Sequence, residues 1–362
     1  MKYLIKLINP EKEIHRLQSM LKTENNFYWK MLYQLEISKI FMNINKLNEA
    51  QTILQLADKE LSTMEKGEDY VWLLAKLAEI YAEGYYIEKA SEIINKAFSY
   101  AKELKDLYNR LSAIIRILQI AGIFLEYGVF KETINEIFDS IENINDPLNR
   151  SELLIMLGNI LNSELSEYRD QLINLIMNDI NFIQDKSQRF QIMSDFVRLL
   201  AKWGFLINDI ITVLNEIDDE YWRSQAIWDA TSGFFESGNI EKMTKFAETV
   251  SRESWEKVIS PEIASILINP VVIVDVQDHG KINEPYFINF YTIGSKFNVE
   301  PLETWVDLTN VGKVTGNDLE IIKYIGKANI TLKSEKIVHT KVKINIALGN
   351  LRGHCWIKIN IK

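Results

Sequence analysis

Three of the four histidines, His279, His339 and His354, lie in the last quarter of the chain, with Asp275, Asp278 and Cys355 close to them in sequence. Imidazole, carboxylate and thiolate are the donors of a zinc site, so these side chains are the sharpest chemical prospect. No two of them stand at ligand spacing such as His-x-x-x-His, and Asp278-His279-Gly280 has the composition of a turn. The expectation is therefore no metal site, with His279, His339 and His354 as the candidates against it. Asp218-Asp219-Glu220 offers three acids in a row, but a divalent cation needs oxygens converging from several directions. Cys355 is the one cysteine, which excludes an intrachain disulfide and a multi-cysteine metal site. Beside Trp356 on an alternating run it reads as a packed thiol rather than a nucleophile. No glycine-rich phosphate loop follows a strand, so nucleotide hydrolysis has no support and no cofactor is expected.

A second set of charged residues recurs. Asp-x-x-x-Arg occurs at Asp106/Arg110, Asp146/Arg150, Asp185/Arg189 and Asp219/Arg223. The steps between the aspartates are 40, 39 and 34 residues, and four matches in step mark a repeating helical unit. Each has Ile or Leu two residues before it (Leu104, Ile144, Ile183, Ile217), and each arginine has an apolar residue four after it (Ile114, Leu154, Met193, Ile227). An Asp just before an apolar-periodic run accepts hydrogen bonds from free first-turn amides and suits the positive end of the helix. Arg four residues later lies on the same face and is expected to pair with that Asp. These pairs read as caps and braces rather than as a ligand surface.

The elements that hold these residues change character near residue 261. Pro261, Pro270, Pro285 and Pro301 follow the last helical pattern, and the hydrophobic period switches from helical spacing to alternation. Before the switch, Phe190, Met193, Phe196, Val197 and Leu200 recur at helical spacing. After it, Val342, Ile344, Ile346 and Leu348 alternate with polar residues, as do Ile357, Ile359 and Ile361. Further strands are expected near 271–277, 286–293, 303–309, 318–324 and 327–333. The predicted architecture is an α-solenoid of about six helix-turn-helix repeats over 1–260, then a small antiparallel β-sandwich over 268–362, with the boundary at 261–270.

Nearer the N-terminus a different regularity appears. Ser38, Phe41, Ala50 and Ala57 match Ala78, Tyr81, Ala90 and Ala97 at an offset of forty. Small residues at such places let paired helices approach closely while the aromatic fills the layer between them. With LAEIYAEGYYIEKASEIINKA at 77–97, this spacing resembles tetratricopeptide repeats. The resemblance covers about 27–104 well and 105–260 more weakly; the family's proline at the repeat end is missing and these repeats are longer than its usual length. It implies a right-handed superhelix whose first helices line a concave surface that binds a partner. The segment TWVDLTNVGKVTGNDLEI (304–321) faintly resembles immunoglobulin-like modules.

Charge narrows the choice of partner. Residues 261–362 hold 12 basic and 10 acidic residues; of the chain's 41 and 50, that leaves 29 and 40 in residues 1–260, a net charge of −11. An acidic helical array repels phosphate, so sequence-independent nucleic-acid binding is not expected. No stretch is apolar enough to span a membrane, and the first residues do not form a signal peptide, so a cytoplasmic location is expected. The expected function is a non-catalytic scaffold or adaptor that binds a protein or peptide. The contacting residues are expected to be Arg116, Arg198 and Trp228 between apolar stripes, and Trp222 near a helix start. The alternative is an enzyme, possibly metal-dependent, with its site in the β domain or the interdomain cleft.

Overall fold

The structure is a computed structural model and describes residues 2–84, 86–121, 127–161, 167–250, 271–277, 279–281, 284, 286–293, 302–307, 322–324, 327–332 and 338–361. The predicted boundary at 261–270 lies outside the described residues, as do Asp278 and the four C-terminal prolines. Among the described residues the chain is helical up to Val250 after one short strand, and forms antiparallel sheets from Val271 onward. No helix among them is long and apolar enough to cross a membrane.

The chain divides into two compact units. The first, Pro10–Gln184, contains α1 (Pro10–Thr23), α2 (Phe27–Asn43), α3 (Leu47–Leu61), α4 (Glu68–Glu83), α5 (Ile87–Glu103), α6 (Leu107–Ala121), α7 (Tyr127–Ile141), α8 (Pro147–Ile160) and α9 (Glu167–Ile180). Here α2 packs on α3, α4 on α5, α6 on α7 and α8 on α9, while α2, α4, α6 and α8 are neighbours in series. The small residues matched at an offset of forty carry this packing: Ser38, Ala50, Ala57, Ala78, Ala90 and Ala97 are all fully buried. A methyl or hydroxymethyl at these sites keeps the helix axes close, and larger neighbours such as Leu54 and Leu74 fill the space around them.

The second unit joins Met1–Asn9 to Asp185–Lys362. It contains β1 (Lys2–Lys6), α10 (Lys186–Lys202), α11 (Ile207–Asn215), α12 (Glu220–Glu236) and α13 (Ile240–Val250). Its remaining strands are β2 (Val271–Val276), β3 (Tyr286–Ile293), β4 (Leu302–Asp307), β5 (Ile322–Tyr324), β6 (Lys327–Leu332), β7 (Val338–Leu348) and β8 (Leu351–Ile361). The stripe read from sequence on α10 is its core face: Phe190, Met193, Phe196, Val197 and Leu200 are all buried. One antiparallel sheet runs β1-β2-β3-β6 and the other β5-β4-β7-β8. Alternating residues of both sheets meet in a single apolar cluster that includes Val272, Val274, Ile288 and Phe290 from one and Val342, Ile344, Ile357 and Ile359 from the other. Tyr286 is fully buried there and its hydroxyl donates to the Gln277 carbonyl at 2.6 Å. At the β7–β8 hairpin, Leu348 pairs with Leu351 around Gly349-Asn350. Gly349 has φ +54, which suits the glycine-first two-residue turn whose twist matches the strands.

One element departs from the sequence reading. Residues 1–260 read as helical, but Lys2–Lys6 forms β1 and pairs antiparallel with β2 from Lys2↔Asp275 to Lys6↔Val271. Ile8 then bridges Arg352 of β8 through reciprocal backbone bonds of 2.9 and 2.8 Å. The partners lie more than 260 residues away along the chain, so no local periodicity could reveal them.

Candidate partner-binding face

Four aspartates set where the helices of interest begin. Asp106 Oδ1 accepts from the Asn109 amide at 2.8 Å, Asp146 from Leu148 at 3.2 Å, Asp185 from Gln188 at 2.8 Å and Asp219 from Trp222 at 3.0 Å. All four therefore cap helices, at the starts of α6, α8, α10 and α12, as their spacing predicts. The arginines four residues on behave differently from expectation, because none pairs with its own aspartate. Arg150 reaches Asp179 on α9, Arg223 donates to Asn215 at 3.1 Å, and the Arg189 guanidinium lies 5.5 Å from the Phe190 ring. A capping carboxylate is already committed to backbone amides at the helix start, so the long arginine side chains find partners elsewhere.

In the first unit, polar side chains join the adjacent helices α2, α4, α6 and α8. Lys39 donates to Glu79 at 2.8 Å and pairs with Glu83 at 3.3 Å, linking α2 to α4. Neighbouring carboxylates raise the Lys39 pKa above the ordinary lysine range although burial opposes the shift. From α6, Ser112 donates to Glu68 at 3.1 Å, and Arg116 stands 3.7 Å from the same carboxylate. The Tyr108 hydroxyl donates to Glu152 on α8 at 2.7 Å.

Trp72 lies at the centre of this group. The Arg116 guanidinium sits 5.6 Å and the Lys76 ammonium 5.2 Å from its ring, a double cation–π arrangement. The nearby Tyr28 phenol has its pKa raised chiefly by burial and then by Asp69. Burial and Glu152 likewise raise the pKa of Tyr108, so both phenols keep their protons at neutral pH. The Arg116 side chain remains 37% exposed. Beside the cluster, Phe27 and Trp29 project at 40% and 48% exposure, and Trp29 stacks on Tyr33 at 6.4 Å. Of this set the sequence singles out Arg116 alone. The forty-residue step was the available signal, since it leads from Trp72 to Ser112 and Glu152 and from Lys76 to Arg116.

The second unit holds Arg198, Trp222 and Trp228. Arg198 on α10 pairs with Asp229 at 3.6 Å and with Glu236, both on α12, while its side chain stays 37% exposed. Asp229 also accepts from Ser194 at 2.7 Å and Gln225 at 3.1 Å. One turn beyond Arg198, burial holds the Lys202 ammonium below the ordinary lysine range. Trp222 shares the face of α12 that carries Gln225, Asp229 and Glu236, with the 70%-exposed Tyr221 beside it at 5.4 Å, edge to face. Trp228 precedes Asp229 and lies about 100° around the helix from it. Both tryptophans are half-buried.

Two of the histidine candidates, His339 and His354, stand apart along the β7–β8 ladder. His339 lies opposite Asn360, and His354 lies opposite Asn345. Six register positions separate the pairs, about 20 Å along the ladder, too far to share a cation. His279 is exposed beside Gly280, which bridges Ile361. No group of three or more His, Cys, Asp or Glu side chains among the described residues is arranged to hold a metal. Asp218 pairs with Lys186 at 2.8 Å while Asp219 caps α12, so the acidic triplet is already engaged. Cys355 packs against the sheet core, where burial pushes its thiol pKa up to about 12.

No protein-family model matches the sequence. No curated protein matches it at a significant level. Among solved structures, the crystal structure of Ton1535 from Thermococcus onnurineus NA1 is similar over 68% of this chain and 83% of that chain, with 13% identity and a TM-score of 0.28. A likeness that distant carries no argument about fold or function.

Proposed function

We propose that the chain is a non-catalytic interaction protein. In this reading the helix pairs form a tetratricopeptide-like solenoid of about six units, and the paired sheets form a β-sandwich of immunoglobulin-like character. The face shared by α2, α4, α6 and α8 takes a protein or peptide partner. The observation that carries the reading is the Trp72 cluster: a half-buried indole under two cations, with Glu68 and Glu152 alongside and exposed Phe27 and Trp29 beside it. Partly buried aromatic and arginine anchors next to both signs of charge suit a peptide that carries basic side chains and a carboxylate.

Arg116 and Arg198 keep exposed guanidinium surface although each is tied to an internal carboxylate. Affinity capture from the native host with the full chain tests the proposal, with Arg116→Glu, Trp72→Ala and Arg198→Glu run in parallel. The expected result is a partner recovered in stoichiometric amount, lost with Trp72→Ala, and held more weakly in higher salt and by Arg116→Glu; weaker binding by Arg198→Glu adds a second contact on α10. A partner held equally by all the variants would place the interface elsewhere.

A further inference from the structure

Arg110 and Arg150 hold the same place in the Asp-x-x-x-Arg motif, forty residues apart, yet they end differently. Arg150 is a fully engaged brace. Its Nε donates to Asp179 Oδ2 at 2.8 Å, its Nη2 pairs with Oδ1, and its Nη1 donates to the Ile144 carbonyl at 2.9 Å. Asp179 is 2% exposed. A step of 39 residues carries Ile137, Ile141 and Ile144 onto Ile176, Ile180 and Ile183, and all six are buried. The same step carries Ser140 onto Asp179 and Thr133 onto the buried Leu172.

Thus α7 presents short hydroxyl side chains where α9 presents a carboxylate and a leucine. The Ser140 hydroxyl is already donated to the Glu136 carbonyl at 2.7 Å. The Arg110 side chain has no hydrogen-bond or ion-pair partner among the described residues. Where the Arg150–Asp179 pair bridges α8 and α9, a cavity of about 500 Å³ lies between α5, α6 and α7. Phe98, Leu111, Ile114 and Ile137 line it, with Arg110 and Lys102 as its cations.

We propose that this cavity binds a small amphipathic monocarboxylic acid. Its carboxylate takes, against Arg110, the place that the Asp179 carboxylate takes against Arg150, and its apolar body lies on Phe98, Leu111, Ile114 and Ile137. The volume is that of a small-molecule site, which runs from about 300 to 1,000 Å³. A guanidinium in a partly apolar recess favours a planar carboxylate through paired charge-assisted hydrogen bonds, and Lys102 adds a second positive charge. Glu136, on the same wall as Ser140, repels a second anionic group, which selects a monoanion over a nucleotide or a dicarboxylate.

Calorimetric titration of the full chain with 3-phenylpropionate, and with its neutral amide, tests this. The acid is expected to bind at least about tenfold more tightly than the amide. Ser140→Asp installs the brace seen at Asp179; it is expected to abolish binding of the acid while raising the melting temperature. Arg110→Gln removes the charge from the other side, and is expected to bring acid and amide to equal, weak affinity. Equal binding of acid and amide to the unaltered chain would overturn the proposal, as would unchanged affinity in a folded Ser140→Asp or Arg110→Gln variant. Absence of binding by the acid would do the same. So would binding only by an acetylated peptide with a free C-terminal leucine, since that would make the occupant a chain terminus.

Discussion

Gly233 on α12 lies directly against the backbone of Arg198 on α10. A Cβ on Gly233 would stand 2.2 Å from the Arg198 carbonyl oxygen and 3.0 Å from both the Ala201 Cβ and the Lys202 nitrogen. Glycine inside a helix costs about 0.5–1 kcal/mol relative to alanine. Here its lack of a side chain permits a backbone contact that no other residue allows. The same approach brings Ser194 within reach of Asp229, and Arg198 within reach of Glu236.

Gly233→Ala is therefore expected to destabilise the protein, although alanine is the better helix former. Pushing the two helices apart costs about 1–3 kcal/mol, read as a lower denaturation midpoint. Gly67, where an added Cβ meets nothing within 4 Å, serves as the control. If Gly233→Ala melts no lower than Gly67→Ala, the close crossing of α10 and α12 is wrong.

Asp185→Ala and Arg189→Ala are expected to differ, although their spacing alone suggests one joint role. Removing the cap on the Gln188 amide costs about 0.5–2 kcal/mol. Arg189 forms no pair with Asp185; it touches the Phe190 ring and adds positive charge near the exposed Asp218, so its removal is the milder change. Equal losses, together with strong coupling in a double-mutant cycle, would restore the Asp185–Arg189 brace that the structure lacks.

Deleting residues 1–9 is expected to destabilise the second unit. It removes Ile5 and Leu7, which are 3% and 0% exposed, each worth about 1.5–3 kcal/mol of burial. It also bares the edge of β2, and an unpaired apolar edge recruits further strands. A lower melting temperature with concentration-dependent light scattering is the expected outcome; unchanged melting would exclude the β1–β2 pairing. It follows that a fragment spanning 268–362 lacks one of its own edge strands.

Cys355 is expected to resist thiol reagents in the native protein at pH 8, because burial keeps its proton in place. Its folded pKa of about 12 lies above the ordinary 9.0. The resulting stability is thus complete below pH 9 and is lost as the pH rises from 9 towards about 12. Cys355→Val removes the titrating group, so wild type should lose more stability than the variant across that window. A thiol that reacts at the rate of an unfolded chain at pH 8 would contradict its burial.

Much of the local structure was legible in the residues themselves. A helix cap is a local device, and the four aspartates identify the starts of α6, α8, α10 and α12 from spacing alone. Burial at the forty-residue matches and along the alternating strands was legible for the same reason: periodicity assigns faces without any knowledge of partners. Six of the seven strands among the described residues beyond 270 fall at or near their predicted positions, and β5 occupies only the end of its predicted stretch. Partner choice was decided by tertiary structure. Arg150 reaches Asp179 instead of Asp146, and Arg198 reaches Asp229 and Glu236, because a long side chain samples a wide arc and neighbouring helices determine which carboxylate lies within it. Residues 2–6 become a strand because an apolar edge more than 260 residues away accepts their backbone hydrogen bonds. The cavity beside Arg110 likewise takes its lining from α5, α6 and α7, and Ser140 joins that lining only once α6 and α7 face each other.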